Sequence, residues 1–164
     1  RAVARARRFI DAFPVVDKGL LLIGPPGIGK THIAVAVLRQ VVLEKGVRGL
    51  YYDTRSLLST IRSTYNPVTR TSEVDILRPV MDAELLVLDD LGAEKSNDGA
   101  DGYVAEQITK IWDNHPWWLV ISTNKTEREM AQKLGDRLAS RLYSSNPDLD
   151  EMMLVVNTAE DYRA

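Results

Sequence analysis

Two periodicities alternate along this chain of 164 residues. Short, largely apolar runs sit at Gly19–Ile23, Arg48–Asp53, Glu84–Asp89, Trp117–Ser122 and Met152–Val156. Runs this short predict strands, and an unbroken one such as ELLVLD predicts burial on both faces. Between them the apolar period lengthens to that of a helix. Arg1–Phe13 places Val3, Ala6, Ile10 and Phe13 at helical spacing with arginines between, and Thr31–Glu44 continues the pattern. Thr54–Tyr65 reads as a helix ended by Asn66-Pro67, and Ser72–Asp82 as another that Pro79 disturbs. Ala100–Asn114 follows, then a helix to Leu134 opened by the capping box Thr126-x-x-Glu129, a break at Gly135, and Asp136–Tyr143. Five strands alternating with helices predict an α/β fold around a five-stranded, mainly parallel sheet. Ligands of such sheets bind beyond the carboxyl ends of the strands.

Composition narrows the class. Hydrophobic residues at 45% and charged residues at 27% are ordinary for a globular protein, and the length suits a single domain over 1–164 with a core that needs no disulfide. The absence of cysteine excludes disulfide frameworks and thiolate metal sites and suits a cytoplasmic setting. No apolar run approaches the roughly 20 residues of a membrane span. The chain begins with Arg1 rather than Met, which suggests a fragment of a longer protein. Residues 1–70 carry 12 Lys and Arg against 4 acids, and residues 71–164 carry 9 against 19. That asymmetry fits a nucleic-acid-facing side, and equally a solvated surface.

The most specific chemistry lies just after the first strand. Gly24-Pro25-Pro26-Gly27-Ile28-Gly29-Lys30-Thr31 fits the phosphate-binding loop G-x-x-x-x-G-K-[ST], with His32 next. Its glycines let backbone N–H groups approach a polyphosphate closely. Lys30 reaches the β- and γ-phosphates, the Thr31 hydroxyl is placed to ligate Mg²⁺, and the helix that follows turns its positive end to the anion. Asp89 and Asp90 end the ELLVLD run, where one carboxylate can hold Mg²⁺ and the other polarise the attacking water; by itself an acidic pair also just caps a strand. Asp90 is a methylene shorter than the Glu common in such ATPases, so slow hydrolysis is expected. Asn124, at the end of VISTN, either contacts the γ-phosphate and lytic water or caps a turn. Arg137 and Arg141 lie one above the other on a helix, with Leu134, Leu138 and Leu142 as its buried stripe. They read as solvated residues paired with Asp136 or Asp148, or as an arginine finger acting on a neighbouring subunit.

A second constellation is TRSLLSTIRSTYNPVTR, in which Arg55, Arg62, Tyr65 and Arg70 stand without an acid between them. Arg55 and Arg62 are two helical turns apart, and Tyr65 follows on the same face. Arginines along phosphates beside a stacking aromatic suit single-stranded DNA; the alternative is a solvated face with Tyr65 folded onto the core. Trp112, Trp117 and Trp118 read as packing residues. His32 and His115, with no cysteine, make a structural zinc site implausible, which leaves Mg²⁺ as the expected metal.

Taken in order, GPPGIGKTH, LLVLDDLGAEK, ISTN, LGDRLASRL and the terminal EDYR resemble the AAA+ ATPases of the bacterial DnaC/DnaI helicase-loader group, with IstB-like transposition helpers as close relatives. The resemblance implies a three-layer P-loop NTPase with little or no C-terminal helical lid. It makes Lys30, Thr31 and Asp89 the Mg-ATP ligands, Asp90 the catalytic carboxylate, Asn124 sensor 1, Arg141 or Arg137 the finger, and Arg163 a sensor 2-like arginine. It further implies single-stranded DNA contact near Arg62, self-association with ATP, and a replicative helicase as partner, bound through an N-terminal region outside this sequence. Two other readings stay open: an IstB-like helper acting on duplex DNA, and a small nucleoside or nucleotide kinase using Asp53 and Arg55 of YYDTR on its acceptor.

Overall fold

In a computed structural model, residues 2–15, 19–68, 70–93, 100–114 and 119–143 and the backbone of a strand at 153–155 are described. The elements run α1 (Ala2–Ala12), β1 (Leu20–Ile23), α2 (Lys30–Lys45), β2 (Gly49–Asp53), α3 (Thr54–Ser63), α4 (Glu73–Asp82), β3 (Leu85–Leu91), α5 (Ala100–Asn114), β4 (Leu119–Thr123), α6 (Glu127–Leu134), α7 (Asp136–Tyr143) and β5 (Met153–Val155). The strands form one sheet in the order β2-β3-β4-β1-β5, and every pairing is parallel.

The period of two along each strand builds two cores. Leu20, Leu22, Leu85, Val87 and Val120 point to one face, where Phe9 of α1, Phe13 just after it, and Val37 and Val41 of α2 cover them. Leu21, Ile23, Leu86, Leu88, Leu119 and Ile121 point to the other, beneath α3 to α7. Burial on both faces is why the strand runs lack polar alternation. Three layers result.

Local rules account for the boundaries. Gly46, in the left-handed region at φ 67°, closes α2 with its N–H on Val42 O. Both capping boxes at Ser72/Asp75 and Thr126/Glu129 are complete. Pro79 sits inside α4 without ending it: the carbonyl it leaves free belongs to exposed Asp75, where water can serve it. Val3 departs from expectation. It is 62% exposed, and Phe9 joins Ala6, Ile10 and Phe13 in the core instead. Trp112 packs against the larger core as expected, whereas Trp117, Trp118 and His115 lie outside the described residues.

Candidate nucleotide-binding site

The loop between β1 and α2 begins where the Gly24 N–H donates to Thr123 O at 3.2 Å, tying it to β4. Gly27 and Gly29 take φ of 84° and 88°, a region that L side chains rarely enter. For Gly29 the need is purely torsional, because a Cβ there would meet no atom within 4 Å. Buried Ile28 anchors the loop from below. Lys30 is 8% exposed and folds back along the loop, its Nζ donating to the carbonyls of Gly24 and Pro25 at 2.8 Å each. Pro25 and Pro26 are exposed at the rim, as are Thr31 and His32 on the first turn of α2. The start of a helix such as α2 is a general anion-binding arrangement.

Asp89 is where the elements meet. It is 5% exposed, and three hydroxyls from three different elements donate to it. Thr31 Oγ1 of α2 donates to Oδ2 at 2.8 Å, Tyr51 of β2 donates to the same oxygen at 2.7 Å, and Ser122 Oγ of β4 donates to Oδ1. Thr54, the first residue of α3, donates its hydroxyl to the Asp89 carbonyl at 2.8 Å. Charge-assisted bonds of this kind satisfy a carboxylate that burial alone would penalise. Burial first, and then the bond to Asp89, push the Tyr51 phenol well above its ordinary range, so it stays a donor.

The pairing explains how a regular strand delivers two carboxylates. Leu88 pairs with Ile121 and Leu91 with Thr123, so β3 carries one extra residue at Asp89-Asp90. Asp90 takes φ 58° there, and its N–H donates to Ser122 Oγ at 2.8 Å. Ser122 therefore holds the bulge from both sides. The acidic pair is more than a strand cap.

Asn124 stands just past β4. Its Oδ1 is buried and has no hydrogen-bond partner among the described residues, and the cap of α6 is Thr126. The turn-cap reading of Asn124 is thereby corrected. A buried orphan acceptor at the edge of a phosphate site suits a ligand or its water. Beside it opens a cavity of about 500 Å³ rimmed by Gly92, Asp101, Lys125 and Lys133.

Thr31 and Asp89 supply hard oxygens 2.8 Å apart at the mouth of the loop. Among the described residues no group of three or more His, Cys, Asp or Glu could hold a metal alone. This donor set fits Mg²⁺, which takes one or two protein oxygens and completes its shell with phosphates and water.

The arginines divide. Arg137 is exposed, while Arg141 Nη1 pairs with Asp113 of α5 at 2.7 Å, a partner other than the expected Asp136 or Asp148. Arg163 lies outside the described residues. Of the second constellation, Arg55, Arg62, Tyr65 and Arg70 are all exposed. Tyr65 is not folded onto the core: it is 56% exposed and donates to Glu73 Oε2 at 2.7 Å. Arg62 lies 4.8 Å from the centroid of the Tyr103 ring, and Tyr65 meets that ring edge-on at 6.1 Å. Asp53 is the N-cap of α3, its Oδ1 accepting from the N–H and hydroxyl of Ser56.

Sequence reasoning missed Tyr51, Thr54 and Ser122. Ser122 had a signal, a hydroxyl inside an otherwise apolar buried run. Tyr51 and Thr54 had none without the β2–β3 register.

The sequence profile of the family described as IstB-like ATP binding protein matches residues 8–143. Over 145 residues the chain is 26% identical to the replicative helicase loader DnaC of Escherichia coli strain K12, covering 88% of this chain and 58% of that protein. It is 24% identical over 128 residues to a protein of the insertion sequence IS5376 in Geobacillus stearothermophilus, covering 78% of this chain and 47% of that one. It superposes on the crystal structure of the DnaC helicase loader with a TM-score of 0.76 at 31% identity, covering 94% of this chain and 88% of that chain. The chain thus spans less than two thirds of the length of these curated relatives.

Proposed function

The chain belongs to the IstB-like ATP-binding protein family, with a likeness that extends to the DnaC helicase loaders, and from that premise we propose that it is the Mg-ATP-dependent core of a replicative helicase loader. ATP sets its contacts with single-stranded DNA and with the helicase, and hydrolysis releases them. One observation carries the reading. The α3 helix, which bears Arg55 and Arg62, starts at Thr54, whose hydroxyl is bonded to the backbone carbonyl of Asp89, so the basic face begins beside the residue that would hold the metal.

In this scheme Lys30, now bonded to two loop carbonyls, would hold the β- and γ-phosphates, and the Thr31 hydroxyl and Asp89 would hold Mg²⁺. Bound Mg²⁺ supplies neutralisation of charge developing on the phosphate oxygens. Asp90, held by Ser122, would orient the attacking water, and Asn124 Oδ1 would gain the partner it lacks among the described residues. Arg141, or exposed Arg137, reaches a neighbouring copy's nucleotide when copies assemble in the ATP state. Arg163 takes the sensor 2-like role. Turnover by the isolated domain is slow, and the protein works in the cytoplasm.

Fluorescence anisotropy of a labelled single-stranded oligonucleotide tests this, with ATP analogue, ADP or no nucleotide across a salt series. The reading expects ATP-dependent, salt-sensitive binding, stronger than to duplex, and lost in Arg62→Ala/Tyr65→Ala while nucleotide binding persists. Equal affinity in the double variant would refute the assigned face. The likeness to an insertion-sequence protein supports a second reading, an IstB-like helper on duplex DNA, which a preference for duplex would favour.

A further inference from the structure

The hydrogen bond between Tyr51 and Asp89 has no part in the scheme above, yet its geometry is specific. Asp53 pairs with Asp89 across β2 and β3, and Tyr51 pairs with Val87, which puts Tyr51 and Asp89 on one face as diagonal neighbours. The two positions are thus on adjacent strands and two residues out of register, a gap a phenol can bridge and a short side chain cannot. The Tyr51 hydroxyl meets Oδ2 at 2.7 Å, the same oxygen that takes Thr31 at 2.8 Å. Tyr51 nonetheless remains 38% exposed. A large, half-exposed aromatic on an edge strand gains little from packing, so its hydroxyl is the part with a distinctive contact.

We infer that Tyr51 is a positioning residue for the metal carboxylate, fixing Oδ2 of Asp89 in the orientation that serves Mg²⁺. Were the Thr31 hydroxyl to reorient so that it ligates Mg²⁺, its bond to Oδ2 would be the one at risk. Tyr51 is then what holds that oxygen, as Ser122 holds Oδ1. The inference rests on the Mg-ATP reading of the site. It predicts that Tyr51 matters to nucleotide affinity only when the metal is present.

The test is equilibrium titration of a fluorescent ATP analogue into wild type, Tyr51→Phe and Asp89→Asn, each in magnesium and in EDTA. The tightening caused by magnesium should fall about 3- to 10-fold in Tyr51→Phe, the range for one lost hydrogen bond. Affinity in EDTA should stay within about twofold of wild type, because the ring is kept and no phosphate contact is lost. Asp89→Asn should lose most of the tightening and sets the lower limit. Tyr51→Leu, which also gives up the ring, should show the same magnesium-specific split. An unchanged magnesium effect in Tyr51→Phe would overturn the inference, and so would equal weakening with and without metal. If wild type fails to bind the analogue in either buffer, the nucleotide reading falls first and the inference with it.

Discussion

Replacing Ser122 by Ala tests the proposed architecture of the site through stability alone. The residue is 1% exposed and makes two bonds through one oxygen, donating to Asp89 Oδ1 and accepting from the Asp90 N–H at 2.8 Å. Alanine removes that oxygen and leaves a void no larger than an atom, so the cost is polar rather than steric. A hydrogen bond to a charged group contributes about 1.5–3 kcal/mol, and an N–H left unpaired costs about 1–3 kcal/mol. Both penalties are softened here, because Oδ2 keeps Thr31 and Tyr51 and Asp90 is only half-buried. The net expectation is about 2–4 kcal/mol.

For a domain of this size each kcal/mol lowers the melting midpoint by about 2–4 °C, so Ser122→Ala should melt about 5–12 °C early. Urea unfolding followed by circular dichroism gives the free energy directly. Ser140→Ala, on the exposed side of α7, is the control and should stay within about 0.5 kcal/mol of wild type. A Ser122→Ala midpoint indistinguishable from this control would mean that Ser122 does not hold the bulge, and the account of Asp89 and Asp90 would fail.

Three further outcomes follow from the contacts. A Cβ on Gly19 would fall on the Leu119 carbonyl oxygen, fixed in the β1–β4 pairing, whereas one on Gly49 would press on the side chains of Leu38 and Val42. Gly19→Ala should therefore cost about 3 kcal/mol or more and Gly49→Ala nearer 1 kcal/mol, read by urea unfolding; equal costs would contradict the backbone clash. The half-exposed Arg141–Asp113 pair should contribute about 1 kcal/mol or less, so Asp113→Ala and Arg141→Ala melt close to wild type. At high protein concentration only Arg141→Ala should depress ATP turnover, and a matching loss in Asp113→Ala would make the pair structural. The hydrogen bond from Tyr65, followed by the Lys110 contact, holds the Glu73 carboxyl below its ordinary value. A depressed carboxyl stabilises the fold at neutral pH, and that contribution is lost as pH falls through its folded value. The difference in melting midpoint between wild type and Tyr65→Phe should accordingly be flat near neutrality and shrink on acidification; a constant gap down to pH about 3 would separate Glu73 from Tyr65.

The elements were legible because their signals are local. A both-face-buried strand needs only a short apolar run, and a capping box needs only Thr126 and Glu129, so α6 was read nearly residue for residue, while β3, expected over Glu84–Asp89, runs on to Leu91. The phosphate loop was legible for the same reason, its glycines, lysine and threonine being contiguous. Tertiary partnerships were not. Asp113 lies 28 residues from Arg141, Tyr51 lies 38 from Asp89, and no spacing rule joins them. Val3 was misplaced because a helical period marks a stripe and not its limits; Phe9 continues the same stripe at lower exposure. The bulge was also invisible, since DD at a strand end looks identical whether or not a residue is added to the ladder.

The surroundings of Asp89 bear on how such a site changes state. Its donors from Thr31, Tyr51 and Ser122 are all hydroxyls, and each sits on a separate rigid element. A hydroxyl carries one proton and two lone pairs on a rotating bond, so it passes from donor to acceptor without moving its backbone. Thr31 can therefore leave the carboxylate for a metal by a torsion of one bond, while Tyr51 and Ser122 stay in place. An arginine or lysine in the position of Thr31 would have to be displaced bodily, leaving charge uncompensated in a buried site. Threonine on α2, tyrosine on β2 and serine on β4 thus surround Asp89 with donors that can each reorient about a single bond.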